Sequence, residues 1–286
     1  MKLVTQLLGI ICIGVAAYTG YFHPEPISKF LEWGTSLKNE TTVPNAKESL
    51  SEESSSNKKK MELPGKLKGI PERIISHTGY TLSFNREHNA PNWVAWELTN
   101  KETMGSLPRA DFLPDPDIPL PHRVTPDDYK KSGYDRGHMV PAADMKWDRQ
   151  AMKECFYMSN MCPQDGSLNS GPWSKLENAC RRWASQEGSI YIICGPVYKG
   201  KKTKKIGKEH LISVPDGFFK AVLSLQKGKE KAIAFYYNNG KGKQNMEKAA
   251  MSVDQMEKLT GMNFFIHLPD KMEERLEATY DLRAWK

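Results

Sequence analysis

His138 follows Arg136 by two residues in the run Tyr134-Asp135-Arg136-Gly137-His138-Met139-Val140-Pro141-Ala142-Ala143-Asp144. In an extended segment, residues two apart face the same side. The pair therefore sets a permanent cation beside a group that holds or releases a proton near neutral pH. That combination suits hydrolysis of a phosphate ester. The arginine neutralises charge on the phosphate, and the imidazole takes a proton from an attacking water. Gly137 between them is expected to leave the backbone open to close approach by a ligand. The competing reading is an Asp135–Arg136 surface ion pair beside a histidine that caps a turn.

A second stretch adds hard oxygen donors. Ser159-Asn160-Met161-Cys162-Pro163-Gln164 precedes Leu168-Asn169-Ser170-Gly171-Pro172-Trp173, then Leu176-Glu177 and Arg181-Arg182. A neutral amide oxygen such as that of Asn169 suits magnesium, which keeps most of its waters. Pro172 at a first-turn position predicts a helix from there to about Gln186, closed by Gly188, with Asn169 just outside it. Trp173, Glu177 and Arg181 are spaced by four and share one helix face. Were Asn169 helical too, it would stand about 12 Å from Glu177 along the axis. Glu177 is therefore expected to act through an ion's water shell or by holding an arginine. An ordinary cap at Asn169-Ser170 and a solvated Glu177–Arg181 pair are the structural alternatives.

These residues need a frame. Strands are expected at 80–84 and 93–98, joined by the turn-like Asn89-Ala90-Pro91-Asn92, and at 134–141, 156–160, 190–194, 218–225 and 232–237. Helices are expected at 145–153, after Ser252 with its Gln255 capping box, and after Asp270. A proline-dense stretch, 107–127, reads as an irregular loop. Strands and helices in mixed order give an α+β fold with a central, mostly antiparallel sheet flanked by helices.

Outside the frame, Leu3 to Ala17 is an apolar run behind Lys2, with Val15-Ala16-Ala17 as a cleavage site. The pattern is that of a secretory signal. Leu3 to Phe22 is also long enough to stay as a single membrane anchor. Ile10 and Ile11 disfavour lipidation of Cys12. Residues 35–60 are poor in apolar side chains and read as a disordered tether. The division expected is 1–22 signal or anchor, 23–62 linker and 63–286 domain, with the protein secreted, periplasmic or membrane-tethered facing outward. A mitochondrial address fits poorly with a Leu/Ile-rich leader lacking arginine. The net charge of +7 places seven Lys against six Glu in residues 1–60, so +6 belongs to the domain. A basic domain favours acidic partners. Cys155, Cys162, Cys180 and Cys194 permit disulfides in an exported chain, in three possible pairings, and show no CxxC zinc spacing.

The strings DRGHMxPAAD, SNxxPQ and LNxGxWxxLE, in that order, resemble the DNA/RNA non-specific endonucleases of the ββα-metal superfamily, which include endonuclease G. The likeness extends from about Tyr80 to Asp270. It implies the ββα-metal fold and cleavage of both DNA and RNA, without use of the ribose hydroxyl and with 5′-phosphate products. It also implies one Mg2+, with Mn2+ as a substitute. By position, His138 matches the general base and Asn169 the side chain that holds the ion. Glu177 matches a carboxylate near the ion's water shell, Arg136 and Arg109 match arginines that grip the phosphate, and Asn160 matches an asparagine that supports the geometry. Contacts to the backbone carry no sequence information, so low sequence specificity and strong weakening by salt are expected. The lysine-rich segment 199–208 is either a basic hairpin that helps hold nucleic acid or a solvated loop. A nucleic-acid-binding module of the same fold without chemistry is the alternative; it would have no need of His138 and Asn169. Whether the chain forms a homodimer is left open.

Overall fold

Alternation of side chains across extended segments builds this molecule around one sheet. In the computed structural model, which describes residues 60–200 and 203–285, seven strands pair antiparallel in the order β1-β2-β3-β6-β9-β10-β11. They are β1 (Arg73–Ser76), β2 (Thr81–Asn85), β3 (Ala90–Thr99), β6 (Ser189–Val197), β9 (Gly217–Ser224), β10 (Lys231–Asn238) and β11 (Ala250–Met251). The chain divides between Asn57 and Lys58, and every described residue lies in the second part. The expected signal, anchor and tether lie outside the described residues. Among the described residues no helix is long and apolar enough to cross a membrane.

Both faces of the sheet are covered. Val94, Trp96 and Leu98 of β3 point into one core; Trp93 and Ala95 point into the other. The first core packs under β4 (Asp135–His138), β5 (Met161–Gln164), α1 (Arg149–Cys155) and α2 (Ser174–Glu187). The second packs under α3 (Val253–Thr260) and α4 (Asp270–Glu277). A separate hairpin, β4 paired with β5, followed by α2, is the ββα unit. A further hairpin, β7 (Lys205–Ile206) with β8 (Ile212–Ser213), carries the lysine-rich segment.

Several sequence expectations shift. The turn after β2 falls at 86–89, with Asn89 in the left-handed region at φ 49°, and Ala90 to Asn92 already belong to β3. Pro91 is accommodated by a register shift between Ser83 and Phe84. Residues 156–160 are not a strand. Asp148 caps α1 through the backbone N–H groups of Gln150 and Ala151, which moves the helix late. The chain then makes a 3-10 turn at Met158–Asn160, and the strand begins at Met161. Helix α2 starts at Ser174, two residues after Pro172, and Gly188 ends it at φ 85°. Asn169–Trp173 is a π turn broken at Gly171, so Asn169 is not outside the helical run but at its distorted entry, with φ −56° and ψ −53°. Such wide turns gather at functional sites. All four described cysteines are buried and free.

Candidate active site

Strand β4 lines a cleft of about 620 Å³ with Asp135, Arg136 and His138. The strand exists because Asp135 to His138 pair in register with Gln164 to Met161. Gly137 is required by that pairing, since a Cβ there would run into the Gln164 side chain. The expected role for Gly137, access for a ligand, gives way to packing.

The cleft brings together five of the six expected residues: Arg109, Arg136, His138, Asn169 and Glu177. The imidazole of His138 lies between Phe112 and Phe156, with ring centroids 5.5 and 4.8 Å away. Its Nε2 is buried without a hydrogen-bond partner. Burial first, then the charges of Arg109 and Arg136, hold the imidazolium down to about 3, so the ring is neutral at physiological pH. The guanidinium of Arg136 lies 4.1 Å from the Phe112 centroid, and that of Arg109 lies 5.0 Å from Phe156. The alternative Asp135–Arg136 ion pair does not form. Asp135 instead accepts from Asn169 Nδ2 at 3.0 Å. Two cations beside a neutral imidazole make a pocket suited to an anion.

Asn169 is not an N-cap; its backbone closes the short turn Gly166–Leu168 instead. Asp165 caps the preceding turn through the Ser167 N–H, and the Asn169 amide turns to Asp135. That bond uses the nitrogen and leaves Oδ1 available. The Asn169 amide oxygen and the Asp135 and Glu177 carboxylates line the cleft as hard oxygen donors, the donor type that a divalent ion of the magnesium class takes directly or through its waters. Burial pushes the Glu177 carboxyl up to about 7, against the opposing pull of Lys220.

Glu177 does not hold Arg181. That guanidinium donates to Asp144 Oδ1 at 2.7 Å and to Asn178 Oδ1 at 2.8 Å. Asp144 is 1% exposed and also accepts from Trp96 Nε1 at 3.2 Å. Arg181 lines the cleft, as does Phe112. Neither was singled out from sequence as a site residue, although the i,i+4 spacing from Glu177 placed Arg181 on the right face.

Asn160 stands behind the cleft wall, fully buried. Its Oδ1 accepts from the Val140 N–H at 2.9 Å, and its Nδ2 donates to the carbonyls of Val140 at 3.0 Å and Cys155 at 2.7 Å. Three bonds from one amide tie the segment after β4 to the end of α1. Asn160→Ala orphans three buried backbone groups. We expect a loss of about 3 kcal/mol of stability, read as a lower denaturation midpoint at unchanged slope. An unchanged midpoint would show that the strap carries no load.

At the cleft's other edge, Lys204 Nζ lies 4.9 Å from the Tyr134 ring centroid and donates to the Tyr134 hydroxyl at 3.4 Å. The lysine-rich hairpin thus borders the site. Asp128 fastens the neighbouring loop by accepting from the backbone of His210 at 3.1 Å and from its ring at 2.9 Å.

Comparison with known proteins shows the family. The family described as DNA/RNA non-specific endonuclease matches residues 57–271. The chain is 33% identical over 231 residues to "Nuclease 1, mitochondrial" of Schizosaccharomyces pombe, covering 73% of this chain and 71% of that one. It is 35% identical over 214 residues to a "Nuclease" of Nostoc sp., covering 71% and 76%. The curated relatives it matches are spanned over 56% to 76% of their length. Among solved structures, that of an EndoG/EndoGI complex superposes with a TM-score of 0.67 at 28% identity, covering 74% of this chain and 91% of that one. The chain belongs to the DNA/RNA non-specific endonuclease family.

Proposed function

We propose that this endonuclease hydrolyses phosphodiester bonds of both DNA and RNA, with His138 as general base and one Mg2+ held at Asn169, Mn2+ serving as a substitute. The observation that carries the reading is the buried, unpartnered Nε2 of a neutral His138 beside two guanidiniums that form no ion pair among the described residues. Arg136 and Arg109 hold the scissile phosphate. His138 Nε2 takes the proton of the attacking water. A bound divalent ion supplies polarisation of a phosphate oxygen. Glu177 shapes the water structure on the ion's side of the cleft, and Asn160 keeps His138 in place from behind. The arginines oppose charge that grows on the phosphate as the bond breaks. The ribose 2′-hydroxyl has no part in this, so both sugars serve and the products carry 5′-phosphates. Lys130, Tyr134 and Lys204 extend the cationic surface along the substrate. Contacts of this kind grip the backbone and weaken with salt.

The test is digestion of plasmid DNA and of an unrelated RNA with Mg2+, with chelator, and by Asn169→Ala. Cutting of both substrates should vanish with chelator and fall at least about a hundredfold in the variant. A folded protein that retains DNA but cuts nothing with any divalent ion would leave the binding module standing in its place.

We further propose that the leader exports the chain. Seven similar nucleases carry "mitochondrial" in their names, but this leader lacks arginine. Fractionation of the native host should place the activity outside the cytoplasm; activity confined within it would refute export.

A further inference from the structure

On the face of the sheet opposite the cleft, Asp254 and Glu257 of α3 meet Glu277, the last residue of α4. Their carboxylate oxygens all lie within 4.8 Å of one another, the largest separation that two oxygens on one Ca2+ reach at about 2.4 Å each. We propose that these three residues form a calcium site, separate from the catalytic ion, that clips α3 to α4.

Two observations support a ligand there. Glu277 is 3% exposed, yet its Oε1 has no hydrogen-bond partner. A buried carboxylate oxygen without a donor is costly and calls for a cation or a proton. It also sits at the C-terminal end of its helix, where the backbone carbonyls already present negative charge. Secondly, none of the three carboxylates forms an ion pair with a lysine or arginine among the described residues. Glu257 accepts one bond, from the Phe264 N–H at 2.7 Å. Burial first, then Glu257, Glu273 and Asp254, push the Glu277 carboxyl up to about 9, the direction expected of crowded acids lacking a counter-ion. The donors are all oxygen. Calcium accepts the irregular, carboxylate-rich shells that magnesium, bound to an octahedron at about 2.1 Å, resists. Bound there, it ties two helices whose inner faces cover the second core through Val253, Met256 and Leu276.

The experiment uses the full chain carrying Asn169→Ala, so that the proposed catalytic ion does not contribute. Ca2+ is titrated calorimetrically into the chelator-stripped protein, and melting is followed with Ca2+ and with chelator. One binding event is expected, with a melting temperature raised by about 5 °C at about a hundred times Kd. Adding Glu277→Gln, or the milder Asp254→Asn at a half-buried position, should weaken Kd at least tenfold and abolish the shift. Absence of both heat and shift in the parent would overturn the proposal, as would a shift that survives both substitutions. So would a Glu277→Gln protein that melts higher than its parent with or without Ca2+, since that would mean that protons rather than a metal quiet the cluster.

Discussion

Replacing His138 with alanine should lower kcat by about a thousandfold at pH 7 while leaving DNA affinity within about threefold. The loss would not be one of folding. Nε2 has no partner in the structure, so its removal orphans nothing. Arg109 and Arg136 stay where they are, on Phe156 and Phe112, and still hold the phosphate. What disappears is the one neutral base at the cleft floor. Its protonation gives a second test. Burial and the two arginines bring the imidazolium down to about 3. A base works deprotonated, so His138 is fully competent above about pH 5 and is lost only as pH falls through its own pKa. The pH dependence of kcat/KM reports groups of the free enzyme. His138 should therefore contribute no acid limb near 6.5. A limb near 7 belongs to Glu177, whose carboxyl burial raises to about 7, and Glu177→Gln should remove it. A limb near 6.5 that survived Glu177→Gln would mean that His138 titrates normally, and the neutral-base reading would fail.

The parts of this site that were legible in the sequence are those carried by short spacing. Arg136 and His138 share a strand face because they stand two apart, and that strand forms within the expected 134–141, over Asp135–His138 alone. Trp173, Glu177 and Arg181 recur at helical spacing, and α2 presents the last two to the cleft. The capping box at Ser252 and Gln255 forms as written. What was not legible depends on tertiary pairing. Asp144 and Arg181 are 37 residues apart and meet only because the ββα unit lies on the sheet. Phe112, in the irregular loop, becomes a wall of the His138 slot by docking on Phe156 at 5.0 Å. The strand expected at 156–160 failed because an apolar run does not say whether its backbone pairs with a neighbouring strand. Here the Asn160 amide bonds the backbone on either side and favours a turn. β1, four residues at the sheet edge, was too short to announce itself.

Lys220 is the plainest case of a residue that only the fold reveals, and its replacement by methionine should be the most damaging change outside the cleft. It stands on β9 within an otherwise apolar strand, 1% exposed. Its Nζ lies 4.8 Å from the Trp96 ring centroid and 4.7 Å from that of Trp173, a slot between two aromatic faces. Burial pulls the ammonium down, while Cys194, Cys180, Glu177 and Asp144 push it up by more. At neutral pH the two thiols are protonated, pushed to about 11 and about 12 by burial. The anions that hold the charge are therefore Glu177 and Asp144. Asp144 also has Arg181, but the Glu177 carboxylate counts Lys220 as its strongest opposing cation. Lys220→Met fits the slot in volume but leaves the half-buried Glu177 with less compensation. One-sided removal of a buried charge costs about 3–5 kcal/mol, a melting temperature lower by about 10 °C. A merely structural lysine would stop there. Lys220 does not line the cleft, so its effect on catalysis passes through Glu177. The Glu177 limb of the kcat/KM profile should move to higher pH, because the neutral carboxyl becomes the cheaper state. A Lys220→Met protein with wild-type melting, or one destabilised with that limb unmoved, would break the link between the buried cation and the carboxylate.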